Sequence, residues 1–155
     1  MPKVAINNHE ISYSFNGVSR GISSSEIVLI HGEGGQEIDW QMAWRSAKDL
    51  NRLMGLPPGN HGVIRLFNAG LDDYSIYAVD LPGHGKSEGK SKLSIDEYSS
   101  DIIDFLDVMD LKKVCLVGHS MGAAIALNAS LSRHWRICSV VAIGGASKML
   151  SLIHI

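Results

Sequence analysis

The chain has 155 residues, two cysteines and a formal net charge of −2. That length suffices for one domain with its own core, and the near-neutral charge argues against nucleic acid or an anionic membrane surface as a partner. No apolar run is long enough to span a bilayer, and Met1-Pro2-Lys3-Val4 lacks the apolar core of a signal peptide, so a cytoplasmic location is expected.

Val4–Ser14 alternates polar and apolar residues around Asn7-Asn8-His9, which predicts two short strands joined by a tight turn. Residues 17–25 read as a polar, Gly/Ser-rich connection. Ile27-Val28-Leu29-Ile30 is apolar throughout, as in a parallel strand covered on both faces. His31-Gly32-Glu33-Gly34-Gly35 follows; glycines there let the backbone approach a ligand, and their N–H groups can hold an anion. A dinucleotide-binding fingerprint fails, because Glu37 stands where its third glycine belongs. Trp40–Met54 has helical spacing, residues 55–62 form a Gly/Pro break, and Val63–Asn68 is a second helical piece. Trp40 and Trp44 read as core residues rather than ligand contacts.

Ser75–Val79 is the next strand and runs into Asp80-Leu81-Pro82-Gly83-His84-Gly85-Lys86-Ser87. The last three residues imitate the end of a phosphate-binding loop, but Asp80 occupies the place of its first glycine. A tight structural loop is predicted instead, with His84 hydrogen-bonded within it rather than acting as a base. Ser94–Asp110 is the best-marked helix: Ser94 and Glu97 form a capping box, and Ile95, Tyr98, Ile102, Phe105, Leu106 and Met109 share one face. Val114–Gly118 is a strand, Met121–Trp135 a helix, and Ile137–Ile143 another apolar strand ending at Gly144-Gly145-Ala146-Ser147. Lys148–Ile155 shows no pattern. Cys115 and Cys138 fall in strand-like runs and read as buried thiols in a reducing compartment. Neither has a Cys or His at zinc-ligand spacing, so no metal site is expected. Asn128-Ala129-Ser130 fits a glycosylation sequon but lies inside a helical pattern.

A hairpin followed by alternating strands and helices predicts an α/β fold, a mostly parallel sheet with helices on both faces. Ligands of such sheets bind at the carboxyl ends of the strands. Gly32–Gly35, Asp80–Ser87, Ser120 and Gly144–Ser147 all converge there. Gly118-His119-Ser120-Met121-Gly122 is the sharpest signal: Gly-x-Ser-x-Gly between a strand and a helix lifts a hydroxyl clear of the sheet at a helix N-terminus.

With His31-Gly32, Asp80–Ser87 and Gly118–Gly122 in this order, the chain resembles the α/β-hydrolase superfamily in its serine hydrolase, esterase/lipase-like branch. The likeness covers about residues 4 to 148 and corresponds to the N-terminal portion of the family's domain. It implies that Ser120 is the nucleophile and that the backbone N–H groups of Met121 and Glu33 form the oxyanion hole, with Gly34 as a neighbouring donor. It places His31, Gly32, Gly34 and His119 around a small-molecule ester or acyl substrate, with His31 reading as structural and the His119 side chain expected to point elsewhere, and implies no metal or organic cofactor. Gly85-Lys86-Ser87-Glu88-Gly89 is similar to the acylglycerol-lipase and carboxylesterase subgroup.

Two departures stand out. Residues 46–62 read as an insertion. More importantly, the family supplies its triad in the order Ser, acid, His, whereas no Asp or Glu occurs from Met121 to Ile155. Only His134 and His154 follow Ser120, and His134 lies roughly 21 Å along the helix at 1.5 Å per residue. The expectation is therefore a single incomplete domain over 1–155, truncated after the strand that follows the nucleophile helix and weak or inactive alone. Ile137–Ile143 is then an open sheet edge, prone to aggregation or covered by a partner chain. The alternatives are a non-catalytic pseudo-hydrolase that binds ligands, or half of a split hydrolase whose acid and His lie on a second polypeptide.

Overall fold

The computed structural model describes residues 1–16, 26–35, 74–132 and 135–144. The predicted helices over 40–54 and 63–68, the insertion at 46–62, His134, His154 and the segment 148–155 lie outside these residues. Among the described residues, no helix is long and apolar enough to cross a membrane.

The elements are β1 (Lys3–Ile6), β2 (His9–Asn16), β3 (Glu26–Ile30), β4 (Ser75–Val79), α1 (Ile95–Val108), β5 (Val114–His119), α2 (Met121–Leu131) and β6 (Ile137–Ile143). They build one sheet in the order β1-β2-β4-β3-β5-β6. The β1–β2 hairpin turns at Asn7, which takes a φ of 52°, and β2 pairs antiparallel with β4. From β4 across β3 and β5 to β6 every pairing is parallel. All parallel strands therefore point their carboxyl ends to one edge, where the glycine-rich segments gather.

The strands form where the apolar runs stand. Val28, Leu29 and Ile30 in β3 and all of Ser75–Val79 in β4 are buried. On one face Val28, Ile30, Tyr77, Val79 and Leu116 meet Ile102, Phe105 and Leu106 of α1 and Ile125 and Ala129 of α2. Among the described residues Phe105 is the largest wholly buried side chain, and its ring stands edge-on to Tyr13 at 5.5 Å. The opposite face carries Ile27, Leu29, Ile76, Ala78 and Val117, also buried. Both described helices pack on the first face.

α1 begins as its sequence dictates. The Ser94 side chain accepts the Glu97 N–H at 3.2 Å, and the Glu97 carboxylate accepts the Leu93 N–H at 3.0 Å. At its other end the Leu111 N–H reaches back to the Leu106 carbonyl and that of Asp110 to Asp107, with Asp110 left-handed at φ 51°. Arg136 pins this end: it donates to Asp110 at 3.2 Å and to the Leu111 carbonyl at 2.8 Å. The Arg136 guanidinium, aided by Lys112, holds the Asp110 carboxyl below its ordinary range.

Two expectations change. The second helix stops at Leu131, not Trp135: the Ser132 hydroxyl donates to the Ala129 carbonyl at 2.6 Å and closes the last turn. Trp135 is 70 % exposed, its ring 4.3 Å from the Arg136 guanidinium. The two thiols expected to be buried are not: Cys115 is half-buried, and Cys138 is exposed on β6, the outermost strand of the sheet among the described residues. The Cys138 thiol donates to the Val114 carbonyl at 3.3 Å. Asn128 does lie inside α2, where its amide donates to Asp96 at 2.8 Å and Ser99 at 3.1 Å.

The tightest contact is where β5 turns into α2. A Cβ on Gly118 would overlap the Gly122 carbonyl, and one on Gly122 would overlap the Ile30 carbonyl oxygen and lie 2.6 Å from that of His31. The helix therefore starts against the end of β3, with backbone touching backbone. Gly122→Ala is expected to destabilise the protein by about 3 kcal/mol or more, since backbone atoms must give way; urea unfolding followed by circular dichroism checks this. Phe105→Ala should cost about 3–5 kcal/mol by the same measurement, through the cavity it leaves between α1 and the sheet.

Candidate functional site

Ser120 is half-buried at the junction of β5 and α2, with φ 54° and ψ −117°. This backbone region is strained for a residue with a side chain, at a cost of about 1–3 kcal/mol. The surroundings enforce it. The Ser120 N–H donates to the Ile143 carbonyl of β6 at 2.9 Å, and its carbonyl accepts from the Ala123 N–H at 3.0 Å. Ser120 occupies the N-cap position, yet its hydroxyl makes no capping hydrogen bond. Among the described residues nothing engages that hydroxyl, so it remains available to a reacting group.

The helix supplies donors beside it. The first N–H groups of an α-helix have no intrahelical acceptor, and they carry the positive end of its dipole. In α2 these include the N–H of Met121, next in sequence to Ser120. The second donor position comes from the other side. The Gly35 N–H donates to the Gly32 carbonyl at 3.1 Å, closing a turn with Glu33 and Gly34 at its centre and Gly34 at φ 70°. That bond does not use the N–H groups of Glu33 or Gly34. Gly32 brings the turn against Ser120: a Cβ on it would lie 3.1 Å from the Ser120 Cβ.

His31 is buried and holds the turn. It is 2 % exposed. Its Nδ1 donates to the Gly32 carbonyl at 2.7 Å, and its Nε2 accepts the Leu81 N–H at 3.0 Å. Both nitrogens are therefore engaged inside the protein, in keeping with a structural His31. The loop after β4 is the structural support its sequence predicts. Asp80 accepts the Lys86 N–H at 2.8 Å. The Ser87 hydroxyl donates to the Asp80 carbonyl at 2.6 Å and accepts the Ser12 N–H at 2.7 Å. His84 is hydrogen-bonded to the Pro82 carbonyl at 3.1 Å, with its ring centroid 5.1 Å from that of His31.

His119 is exposed at the end of β5. Its ring lies beside Gly32 and Gly144, the residues that follow β3 and β6. The sequence put His119 in the motif but did not show that these two glycines flank its ring. The available signal was a glycine within two residues of the end of each of these apolar strands. Among the described residues, no group of three or more His, Cys, Asp or Glu side chains could hold a metal ion.

The site thus joins an unengaged hydroxyl, a helix N-terminus and a glycine turn at the carboxyl edge of a parallel sheet. Comparison with known proteins shows the family. The chain is 32 % identical over 127 residues to the dihydrolipoyllysine-residue acetyltransferase component of the acetoin cleaving system of Pseudomonas putida, covering 81 % of this chain and 28 % of that protein. It is 30 % identical over 118 residues to a Haemophilus influenzae protein given an esterase/lipase name by inference, covering 76 % and 33 %. The chain therefore spans about a third or less of the length of these relatives. Among solved structures, the enol-lactonase from Burkholderia xenovorans superposes with a TM-score of 0.67 at 21 % identity, over 90 % of this chain and 45 % of the other. A membrane phospholipase A superposes with a TM-score of 0.70 at 22 % identity, over 94 % and 39 %. At such identities the likeness to solved structures concerns the fold. Residues 27–154 match the model of the alpha/beta hydrolase family, and with esterase-, lipase- and acyltransferase-like relatives around it the chain belongs to that family.

Proposed function

We propose that this chain carries the nucleophilic half of a serine acyl-transfer site, with Ser120 attacking the carbonyl carbon of a small ester or related acyl compound. The observation that carries this reading is the strained Ser120, whose hydroxyl makes no capping bond and whose Cβ lies against the Gly32 turn. The Ser120 oxygen adds to the carbonyl and its proton passes to a base. The resulting oxyanion accepts from the N–H groups of Met121 and Glu33, each contributing on the order of 3 kcal/mol to transition-state stabilisation. The alcohol leaves, and water releases the acid from the acyl-enzyme. With another alcohol, amine or thiol as acceptor, the same intermediate gives acyl transfer, the chemistry in the Pseudomonas putida relative's name.

A serine hydroxyl is a weak nucleophile until a base takes its proton. No Asp or Glu follows Met121 in this sequence, and His134 and His154 are the only histidines after Ser120. Slow chemistry by this chain alone follows, sustained by binding and oxyanion stabilisation. A second reading rests on β6. It is the outermost strand of the sheet among the described residues, with Cys138, Ser139 and Ala142 exposed. A partner chain bearing an acid and a His would pair there and complete a split hydrolase. Without such a partner the fold would serve as a binding module.

A fluorophosphonate probe tests the nucleophile. The expected result is slow covalent labelling of the folded protein that disappears in Ser120→Ala, read by intact mass spectrometry. Labelling that persists in Ser120→Ala, or none from protein with native circular dichroism, contradicts the proposal. Labelling that accelerates many-fold on adding a copurifying chain favours the split-hydrolase reading.

A further inference from the structure

We propose that His119 forms a polar wall of this site and selects acyl compounds that carry a second hydrogen-bonding oxygen close to the scissile carbonyl. The inference rests on the reading of Ser120 as nucleophile and adds a specificity residue to it. His119 ends β5, and its ring lies across the carboxyl edge of three adjacent strands. Its Nδ1 lies 3.5 Å from the position a Cβ on Gly32 would take, and the Ser120 Cβ lies 3.1 Å from that same position. The imidazole and the nucleophile thus flank one point on the Gly32 turn. On the far side Nε2 lies 3.6 Å from the corresponding position on Gly144. Glycine on both sides leaves the edges of the ring uncovered by side chains at these positions.

Both ring nitrogens lack a hydrogen-bond partner among the described residues, in contrast to His31, whose two nitrogens are engaged. An exposed imidazole is satisfied by water. A ligand that displaces this water with an ether, hydroxyl or carbonyl oxygen keeps the hydrogen bond; one that displaces it with a methylene loses it. His119 therefore discriminates by what lies beside the reacting carbonyl, without touching the bond that breaks.

Two fluorophosphonates test this, one with an alkyl chain and one with an ethylene glycol chain of equal length. The read-out is the ratio of their labelling rates, which cancels any change in the reactivity of Ser120. The wild-type chain is expected to favour the glycol probe by about tenfold, the value of one hydrogen bond kept rather than lost. His119→Phe should abolish the preference and His119→Gln, which retains a donor and an acceptor, should preserve most of it. An unchanged ratio in His119→Phe, or two rates that fall together, overturns the inference.

A second measurement does not depend on the nucleophile. In Ser120→Ala carrying 13C-histidine, triethylene glycol monoacetate should shift the imidazole cross-peak of His119, identified by its loss in His119→Gln, while hexyl acetate should leave it in place. No shift, or equal shifts with both esters, overturns the inference. If neither probe labels the wild-type chain while the cross-peak shifts, the acyl-transfer reading falls and the polar wall stands.

Discussion

The backbone contact between the start of α2 and the end of β3 is the constraint from which the site follows. Gly122 lets the helix meet the Ile30 and His31 carbonyls, and Gly118 lets the strand pass beneath the helix it feeds. Only with both side chains absent can the chain reverse from strand to helix in two residues. That reversal forces Ser120 into its positive-φ conformation and places its hydroxyl beside the Gly32 turn. The strain is held by surrounding structure rather than relieved locally: the Ser120 N–H is tied to β6 and its carbonyl to the first turn of α2.

A second layer fixes the turn itself. His31 connects the Gly32 carbonyl to the Leu81 N–H, so the loop after β4 sets the orientation of the turn after β3. That loop is anchored by Asp80 and by Ser87, whose hydroxyl also takes the Ser12 N–H of β2. The Gly32 turn next to Ser120 is thus braced from the hairpin, through two loops, by hydrogen bonds between segments far apart in sequence. Placement of this kind suits acyl transfer, where donors must be aimed before charge develops.

Much of this was legible in the residues. The apolar runs marked β3, β4 and β5, Ser94 with Glu97 marked the start of α1, and Gly118–Gly122 marked the elbow, because each signal is local. The end of α2 was not legible: Leu131 and Trp135 keep the i, i+4 spacing of a helix, and the Ser132 hydroxyl closing the last turn and the Trp135–Arg136 contact are visible only in the structure. Cys138 looked buried because an apolar strand is ordinarily covered on both sides, and only the sheet order reveals the exposed edge. The sequence could name His31 and His119 as neighbours of the site but could not say which nitrogens were engaged. That depends on Leu81 and on two glycines that follow separate strands.

The most direct test of the account is a crystal structure of the protein with a phosphonate covalently attached at Ser120. If the elbow and the Gly32 turn form one oxyanion site, the phosphoryl oxygen will lie about 2.7–3.1 Å from both the Met121 and Glu33 nitrogens, with Ser120 still at positive φ. A phosphoryl oxygen turned to solvent, away from both N–H groups, would contradict it.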